Sequence, residues 1–245
     1  MWNKILQNNM KAMILAAGLG TRLKPFTENH PKALYPVNGK PLLQRNIEYL
    51  QSFGIKNAIV NVHHFADQII AAINDNNGWG SNVVISDETN EVLETGGGLK
   101  KAADYLLEGN EPFVLMNADM LTDLDISKMY AEHKINNPLA TVAVTNRATS
   151  RYLLFNENQV LCGWYNEKTG EQKGTAGTKK AFSGIHIIST SIFSLIKEEG
   201  KFSMIDLYLR LADTEKIMAF DHSNGKLIDV GKPESGAQAE AMFKD

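Results

Sequence analysis

The hydrophobic and polar positions of the chain alternate between short apolar runs and amphipathic stretches over the first two-thirds of the sequence. Residues 12–16 form a continuous apolar run that ends in glycines, which is typical of a strand buried on both faces. Further strands are predicted at 58–62, 83–85 and 112–116, and helices at 41–54, 66–74 and 98–107. These repeated β–α–β units predict an α/β fold with a Rossmann-like, doubly wound, mostly parallel sheet.

The pattern changes after a predicted helix at 125–136, where strands follow one another. The later elements are strands at 140–145, 152–155 and 160–164, a Gly/Thr/Lys-rich loop at 168–180, a strand at 182–188, helices near 191–197 and 204–212, strands at 216–220 and 227–230, and a helix at 233–243. We interpret the middle of this region as an inserted β-rich lobe. Since no repeat and no Gly/Ser- or Pro-rich linker is found, residues 1–245 are predicted to form one domain, with residues 1–10 as a polar N-terminal extension.

Composition narrows the possible functions. The net charge of −3 argues against a broad basic surface for nucleic acid. No apolar run approaches the roughly 20 residues needed to span a bilayer, so no membrane partner is expected. Cys162 is the only cysteine, which excludes an intrachain disulfide and suits a reducing, cytoplasmic location.

A glycine turn follows the first predicted strand directly, and it is the first candidate for chemistry. Ligands of open parallel sheets bind beyond the carboxyl ends of the strands, and glycines there let backbone N–H groups approach phosphate oxygens. The turn contains Gly18, Gly20 and Thr21. A dinucleotide-binding motif would need glycine or alanine at Leu23, and the Gly-Lys-Ser/Thr of a P-loop is absent.

The segment after the glycines is rich in proline and cations. Prolines at 25, 31, 36 and 41 forbid a long helix, so an extended, stiff loop is predicted between residues 22 and 42. This loop carries Arg22, Lys24 and Lys32. An arginine and a lysine fixed beside a glycine turn suit a triphosphate, and we expect this role for Arg22 and Lys32, with Lys24 solvated.

At these residues the chain resembles a known family. The segments LAAGLGTRLKP (15–25) and PKALYPV (31–37) are similar to the signature of the sugar-1-phosphate nucleotidyltransferases, and the similarity extends through LETGGG (93–98), NAD (117–119) and IDVG (228–231). Within that family the chain looks closest to the short members that act on N-acetylmuramic acid 1-phosphate. Those members lack the C-terminal left-handed β-helix of longer relatives, and none is expected here.

The resemblance implies a set of site residues and a reaction. A nucleoside triphosphate and a sugar 1-phosphate would give a nucleotide-sugar and pyrophosphate, with UTP and N-acetylmuramic acid 1-phosphate or a related hexose 1-phosphate as the expected pair and a monomer or homodimer as the assembly. Asp119 and Asp229 would be ligands of Mg²⁺, and Arg22 and Lys32 the catalytic cations. The nucleotide would contact Leu15, Ala16, Ala17, Gly18, Gly20, Thr21, Glu94, Thr95, Gly96, Gly97 and Asn117. The sugar would contact Glu167, Ser183 and Gly184.

Three alternatives remain open from the sequence. Two are enzymes, one acting on heptose 1-phosphate with GTP and the other on phosphocholine with CTP. The third is a non-catalytic nucleotide-sensing domain, against which the presence of Arg22, Lys32, Asp119 and Asp229 speaks. The aromatic residues Trp164 and Tyr165 are interpreted either as core or as platforms for a sugar ring.

Overall fold

The computed structural model describes residues 10–244, and its first half is the predicted parallel sheet. Strands β1 (Lys11–Leu15), β4 (Asn57–Val62), β5 (Asn82–Asp87) and β6 (Phe113–Asn117) lie in the order β6-β1-β4-β5, and all three pairings are parallel. The chain builds outward from β1 to β5 and then returns to place β6 on the other side of β1. This reversal creates a crevice at the carboxyl ends of β1 and β6, where ligands of doubly wound sheets bind.

Helices connect and cover these strands. They are α1 (Leu42–Ser52), α2 (Ala66–Asp75), α3 (Glu94–Lys101), α4 (Ala103–Leu107), α5 (Ile126–Asn136), α6 (Met204–Leu211) and α7 (Pro233–Met242). Local sequence explains several of their ends. The side chains of Asp125 and Ser203 accept hydrogen bonds from the first free N–H groups of α5 and α6, and Pro233 occupies the first position of α7.

Antiparallel strands extend the sheet beyond β6. Strand β12 (Thr178–Ile188) is the link, because its second half pairs with β6 and with β8 (Ala140–Thr145), and its first residues pair with β9 (Arg151–Phe155). Strands β10 (Leu161–Asn166) and β11 (Gln172–Gly174) continue outward from β9. Strand β13 (Ile217–Asp221) pairs parallel with β8. The strands β9 to β11 with the start of β12 form the β-rich lobe that the sequence predicts.

Two small antiparallel pairs complete the fold beside the crevice. Strands β2 (Pro36–Val37) and β3 (Lys40–Pro41) form a hairpin, and β7 (Met120–Thr122) pairs with β14 (Leu227–Asp229). In the second pair Asp229 lies opposite Met120, and the N–H of Val230 donates to the carbonyl of Asp119 at 2.9 Å. Residues about 110 positions apart in the sequence are therefore joined by main-chain hydrogen bonds at the mouth of the crevice.

The hydrophobic core lies on both faces of the sheet, as a doubly wound fold requires. Along β1, Ala12 and Ile14 belong to one buried cluster with α1, α2 and α5, and Met13 belongs to the cluster on the opposite face. Successive side chains of a strand point to opposite faces, so a continuous apolar run serves both clusters. The predicted fold class, a doubly wound sheet with an inserted β-rich lobe, is therefore confirmed.

Several predicted elements differ from the structure. The helix predicted at 98–107 begins at Glu94 and is divided at Ala102, where the backbone leaves helical geometry. The loop predicted at 22–42 is not extended throughout. It contains the β2–β3 hairpin and three short 3₁₀ turns, at Thr21–Leu23, Phe26–Glu28 and Lys32–Leu34. The loop predicted at 168–180 contains β11 and the start of β12, and the helix predicted near 191–197 is a 3₁₀ turn at Thr190–Leu195.

The proposed N-terminal extension lies almost wholly outside the described residues. Met10, its last residue, is buried against the core, with only 3% of its surface exposed. The fold therefore begins no later than Met10. Within residues 10–244, no helix has the length and apolar character needed to cross a membrane.

Candidate active site at the carboxyl edge of the sheet

A cleft of about 470 Å³ opens where the carboxyl ends of β1 and β6 meet. The two strand ends are tied together, since the N–H of Ala118 donates to the carbonyl of Leu15 at 3.0 Å. Many of the residues that the sequence assigns to the nucleotide or the metal line this cleft: Leu15, Ala16, Ala17, Gly18, Lys32, Glu94, Thr95, Asn117 and Asp119. The structure thus brings together segments from three separate parts of the sequence.

Lys32 occupies the centre of the charged groups. Its ammonium contacts Oδ2 of Asp119 and lies 3.9 Å from Oδ1 of Asp229. Its side chain is only 13% exposed, so the ion pair with Asp119 is largely removed from solvent. Arg22 approaches the same group from outside, with Nη2 3.9 Å from Oδ2 of Asp229, and its side chain is 62% exposed. Both predicted metal ligands and both predicted catalytic cations therefore lie in one cluster.

Each aspartate retains an oxygen suited to a further ligand. Oδ1 of Asp119 and Oδ1 of Asp229 are both buried and accept no hydrogen bond within the described part of the chain. Burial raises the pKa of the Asp229 carboxyl, and the negative charge of Asp119 raises it further, while Lys32, Arg22 and Arg147 oppose the rise. Buried carboxylate oxygens without partners are costly, and a bound cation would remove that cost.

This pair of carboxylates fits a magnesium ion. Mg²⁺ prefers oxygen ligands and usually retains several waters, so it needs only one or two protein carboxylates together with substrate phosphates. Among residues 10–244 no cluster of three or more His, Cys, Asp and Glu side chains is found, which distinguishes this site from an all-protein metal cage. The donor set of Asp119 and Asp229 therefore suits a metal that is shared with the substrate.

The glycine turn positions Lys32 by close contact. Gly20 has a φ of +62°, and a Cβ atom there would lie 2.9 Å from Cβ of Lys32 and 3.0 Å from Cγ2 of Thr27. The Thr27 hydroxyl donates to the Gly20 carbonyl at 2.9 Å. Any larger residue would be strained and would displace the lysine. Gly20 and Thr21 do not line the cleft, whereas Lys32, which packs against Gly20, does.

Two polar residues that the sequence analysis missed brace the other side of the cleft. Asn61, at the end of β4, accepts from the N–H of Ala16 at 2.7 Å and donates to Oε1 of Glu88 at 2.9 Å. Burial raises the pKa of the Glu88 carboxyl, and the hydrogen bond from Asn61 opposes that rise. Asn61 interrupts an otherwise apolar strand, and that polar residue in a buried run was the available signal.

The three glycines near the start of α3, Gly96 to Gly98, pack against protein. The Cβ position of Gly96 lies 2.4 Å from the ring of Phe202, and that of Gly97 lies 2.3 Å from the carbonyl oxygen of Gly200. The N–H of Gly96 donates to the carbonyl of Phe202 at 2.9 Å. Side chains at these two positions would separate α3 from the loop before α6. Their predicted contact with the base remains a prediction, whereas Glu94 and Thr95 do line the cleft.

A second cleft of about 490 Å³ adjoins the first along the lobe. The two share Phe182, Ser203 and Ile205, so they form one continuous depression. The second cleft is lined by aromatic and charged residues of the lobe strands, including Arg151, Tyr152, Trp164, Asn166, Glu171 and Lys173. The ammonium of Lys173 lies 5.5 Å from the centre of a Trp164 ring. Aromatic faces combined with hydrogen-bonding groups are suited to a polar ring such as a sugar.

The three residues predicted to bind the sugar are placed differently from one another. Glu167 lines neither cleft and forms an ion pair with Lys179 at 2.8 Å. Ser183 is fully buried, and its hydroxyl is 2.8 Å from Nε2 of His222. Gly184 has a φ of +74°, and its Cβ position would lie 3.0 Å from Nδ2 of Asn117, so a side chain there would displace the amide that lines the cleft. The role of these residues in sugar binding stays a prediction, and the structure places Glu167 and Ser183 away from the cleft surface.

With this geometry established, comparison with known proteins gives the class. A family model described as "Nucleotidyl transferase" matches residues 11–242, which is nearly the whole chain. The chain therefore belongs to the nucleotidyl transferase family. The predicted enzyme class, a sugar-1-phosphate nucleotidyltransferase, is confirmed.

Individual relatives refine this assignment. The chain is 40% identical to the N-acetylmuramate alpha-1-phosphate uridylyltransferase of Neisseria meningitidis serogroup B, over 95% of the chain and 98% of the relative. The enzyme of that name from Caulobacter vibrioides is 33% identical, over 96% of the chain and 97% of the relative. A mannose-1-phosphate guanyltransferase from Yarrowia lipolytica is 30% identical, and the chain spans only 64% of its length.

The solved structures agree with the fold. The crystal structure of HddC from Yersinia pseudotuberculosis complexed with GMP-PN is similar with a TM-score of 0.77 and 30% identity, and the match covers 96% of this chain and 100% of that chain. A UDP-glucose pyrophosphorylase complexed with UDP-glucose has a TM-score of 0.75 at 20% identity, over 95% of this chain and 97% of that chain, and supports the fold alone.

Proposed function

We propose that this chain transfers a uridylyl group from UTP to N-acetylmuramic acid 1-phosphate and releases pyrophosphate. The observation that carries the proposal is the single cluster at the carboxyl edge of the sheet. Lys32 there lies between Asp119 and Asp229, beside the glycine turn, with Arg22 at the rim. Two relatives that share almost their full length with this chain bear the name of that activity. A cytoplasmic location belongs to the same proposal.

Asp119 and Asp229 would hold Mg²⁺ through the carboxylate oxygens that accept no hydrogen bond within residues 10–244. When bound, the ion would supply positive charge to the α-phosphate and to the departing pyrophosphate. The raised pKa of Asp229 implies that metal affinity falls as the pH is lowered, because the proton and the cation compete for the same carboxylate.

The protein's own groups bind and orient the reactants. In the proposed reaction a phosphate oxygen of the sugar 1-phosphate attacks the α-phosphorus of the nucleotide, and the bond from that phosphorus to the pyrophosphate oxygen breaks. Lys32, which the structure fixes by contact with Gly20 and Asp119, would hold the phosphates in line. Arg22, which is exposed at the rim beside Asp229, would bind the triphosphate as a bidentate donor. Such catalysis depends mainly on positioning and electrostatic stabilisation.

A second candidate substrate pair is GTP with a different sugar 1-phosphate. It is favoured by HddC, which was crystallised with the guanine nucleotide analogue GMP-PN, and by the mannose-1-phosphate guanyltransferases among the relatives. The motifs around Lys32 and Asp119 do not show whether the enzyme binds uracil or guanine. The choice therefore rests on measurement.

The deciding experiment is a pyrophosphate-release screen that pairs the four common nucleoside triphosphates with a panel of sugar 1-phosphates. We expect the highest kcat/KM for UTP with N-acetylmuramic acid 1-phosphate, and no turnover in EDTA. A higher kcat/KM for GTP with a mannose or heptose 1-phosphate would transfer the assignment to the second candidate. Tight nucleotide binding without pyrophosphate release from any pair would instead support a sensing domain.

A further inference from the structure

The phosphate of the acceptor needs positive charge beyond that of Arg22 and Lys32, the two cations assigned to the triphosphate. Arg22 and Lys32 both come from the segment after β1, on the nucleotide side of the cleft. A phosphate monoester carries roughly 1.5 to 2 negative charges at neutral pH, which a binding site must balance. Arg151 and Lys173 line the second cleft on the lobe, and Lys168 is exposed with no hydrogen bond or ion pair of its ammonium within residues 10–244. A cation nearer to Asp119 and Asp229 would complete the positive charge around the reacting phosphates.

The sheet topology brings one further loop to the same edge. Strand β12 is antiparallel to both β6 and β8, so β8 runs in the same direction as β6. The loop after β8, residues 146–150, consequently leaves the sheet at the edge where Asn117 and Asp119 lie. It carries Arg147, a residue to which the family resemblance assigns no role.

This loop is held from both sides. The ammonium of Lys180, whose side chain is 13% exposed, donates to Oδ1 of Asn146 at 2.7 Å and to Asp221 at 2.5 Å. The N–H of Asn146 donates to the Ser223 hydroxyl at 2.9 Å. At the other end the N–H of Thr149 donates to the Tyr152 hydroxyl at 3.1 Å. The backbone at Arg147 is therefore fixed, which lowers the entropic cost of placing its side chain.

The Arg147 side chain is exposed and lines neither cleft itself, but it is bonded to a residue that lines both and has donors to spare. Its Nη2 donates to the carbonyl of Phe182 at 3.0 Å, and Phe182 lines both clefts. Within residues 10–244 no other hydrogen bond and no ion pair is made by this guanidinium, which has five N–H donors in total. We propose, on the basis of the function proposed above, that Arg147 binds the phosphate of the sugar 1-phosphate and positions its attacking oxygen opposite Arg22 and Lys32.

The test separates binding of the two substrates. With wild-type enzyme and its best substrate pair, Arg147→Ala should raise the KM for the sugar 1-phosphate roughly 10- to 100-fold, the value of a charge-assisted contact, and leave the KM for the nucleotide within about twofold. Arg147→Lys should recover part of the loss, because a lysine keeps the charge but not the two-pronged geometry. Lys128→Ala, which removes an exposed cation from α5, is the charge-matched control and should match wild type.

A binding measurement makes the result independent of turnover. We expect that calorimetric titration of sugar 1-phosphate into protein saturated with Mg²⁺ and a non-hydrolysable nucleotide analogue gives a Kd weakened by a similar factor in Arg147→Ala. An unchanged Kd, an equal rise in both KM values, or a large effect of Lys168→Ala instead would overturn the role of Arg147. Absence of wild-type turnover together with Arg147-dependent binding would refute the proposed function and leave this contact intact.

Discussion

The parallel half of the sheet and the antiparallel lobe obtain their functional surfaces in different ways. In the parallel half, the candidate residues follow β1 and β6 directly, where the return of the chain beside β1 opens a crevice. In the lobe, β9 to β11 are antiparallel, and along β10 the side chains of Trp164 and Asn166 line the second cleft while Tyr165 between them does not. Topology therefore fixes where the chemistry lies in the first region, whereas in the lobe a shift of one residue moves a side chain from the cleft to the opposite face.

The largest effect should come from the two aspartates at the mouth of the crevice that the parallel half forms. Asp119→Ala and Asp229→Ala should each lower Mg²⁺-dependent kcat/KM by about 10³-fold or more, since the metal contributes several kcal/mol to transition-state stabilisation. Pyrophosphate release at saturating Mg²⁺ measures this, and circular dichroism checks that the fold is retained. Turnover near wild type in either variant would show that its carboxylate is not a metal ligand. The difference between the crevice and the lobe would then no longer hold.

A smaller effect is expected from the lobe, where a pair of variants sharpens the comparison. Trp164 lines the second cleft, and Glu167 lies outside it in an ion pair with Lys179. Trp164→Ala should raise the KM for the sugar 1-phosphate roughly tenfold through loss of an aromatic face, with Trp164→Phe close to wild type. Glu167→Ala should change the KM by less than about twofold. A larger effect at Glu167 than at Trp164 would restore the role that sequence resemblance gave to the glutamate.

The sequence allows much of the nucleotide side to be predicted, for a physical reason. A buried run ending in glycines and an aspartate just after an apolar run indicate strand ends, and parallel strand ends share one edge. The sequence does not predict Asn61 and Glu88 as site residues, because their role depends on contacts between strands that no local pattern encodes. The sequence predicts that the glycines of α3 approach a ligand; the structure packs Gly96 and Gly97 against the loop before α6, and their contact with a ligand stays a prediction. Absence of a side chain indicates a close approach without identifying the partner.

Lobe residues were harder to predict because their burial is partial and their partners are distant. Trp164 and Tyr165 could not be distinguished from the sequence, yet alternation along β10 separates them. Trp164 lines the second cleft, and Tyr165 receives the ammonium of Lys179 at 3.8 Å from its ring centre. The register that sets this alternation comes from pairing with β9, which the local pattern does not determine.

The smallest predicted effect tests whether the carboxylate of Asp229, beside the crevice of the parallel half, lowers the stability of the protein when no metal is bound. The folded state raises the pKa of Asp229, so it binds that proton more tightly than the unfolded chain does. The protonated carboxyl therefore favours the folded state, and this contribution to the free energy of unfolding is fully present below about pH 3.8, the pKa in the unfolded chain. It is lost as the pH rises through the pKa of the folded state. At pH 7 the ionised carboxylate consequently destabilises the fold. In EDTA at pH 7, Asp229→Asn should therefore raise the Tm.

We expect this rise to be only a few degrees, because Asp229 is partly exposed and solvent screens its charge, and because about 1 kcal/mol shifts the Tm of a chain of this size by about 2–4 °C. The difference from wild type should shrink towards pH 3, where the wild-type carboxyl is protonated, and Mg²⁺ should narrow it at pH 7 by stabilising wild type alone. Asp213→Asn, an exposed aspartate outside the cluster, should leave the Tm unchanged. A lower Tm for Asp229→Asn would mean that attraction to Lys32 and Arg22 outweighs burial and the charge of Asp119, and the carboxylate pair would then need no cation to be stable.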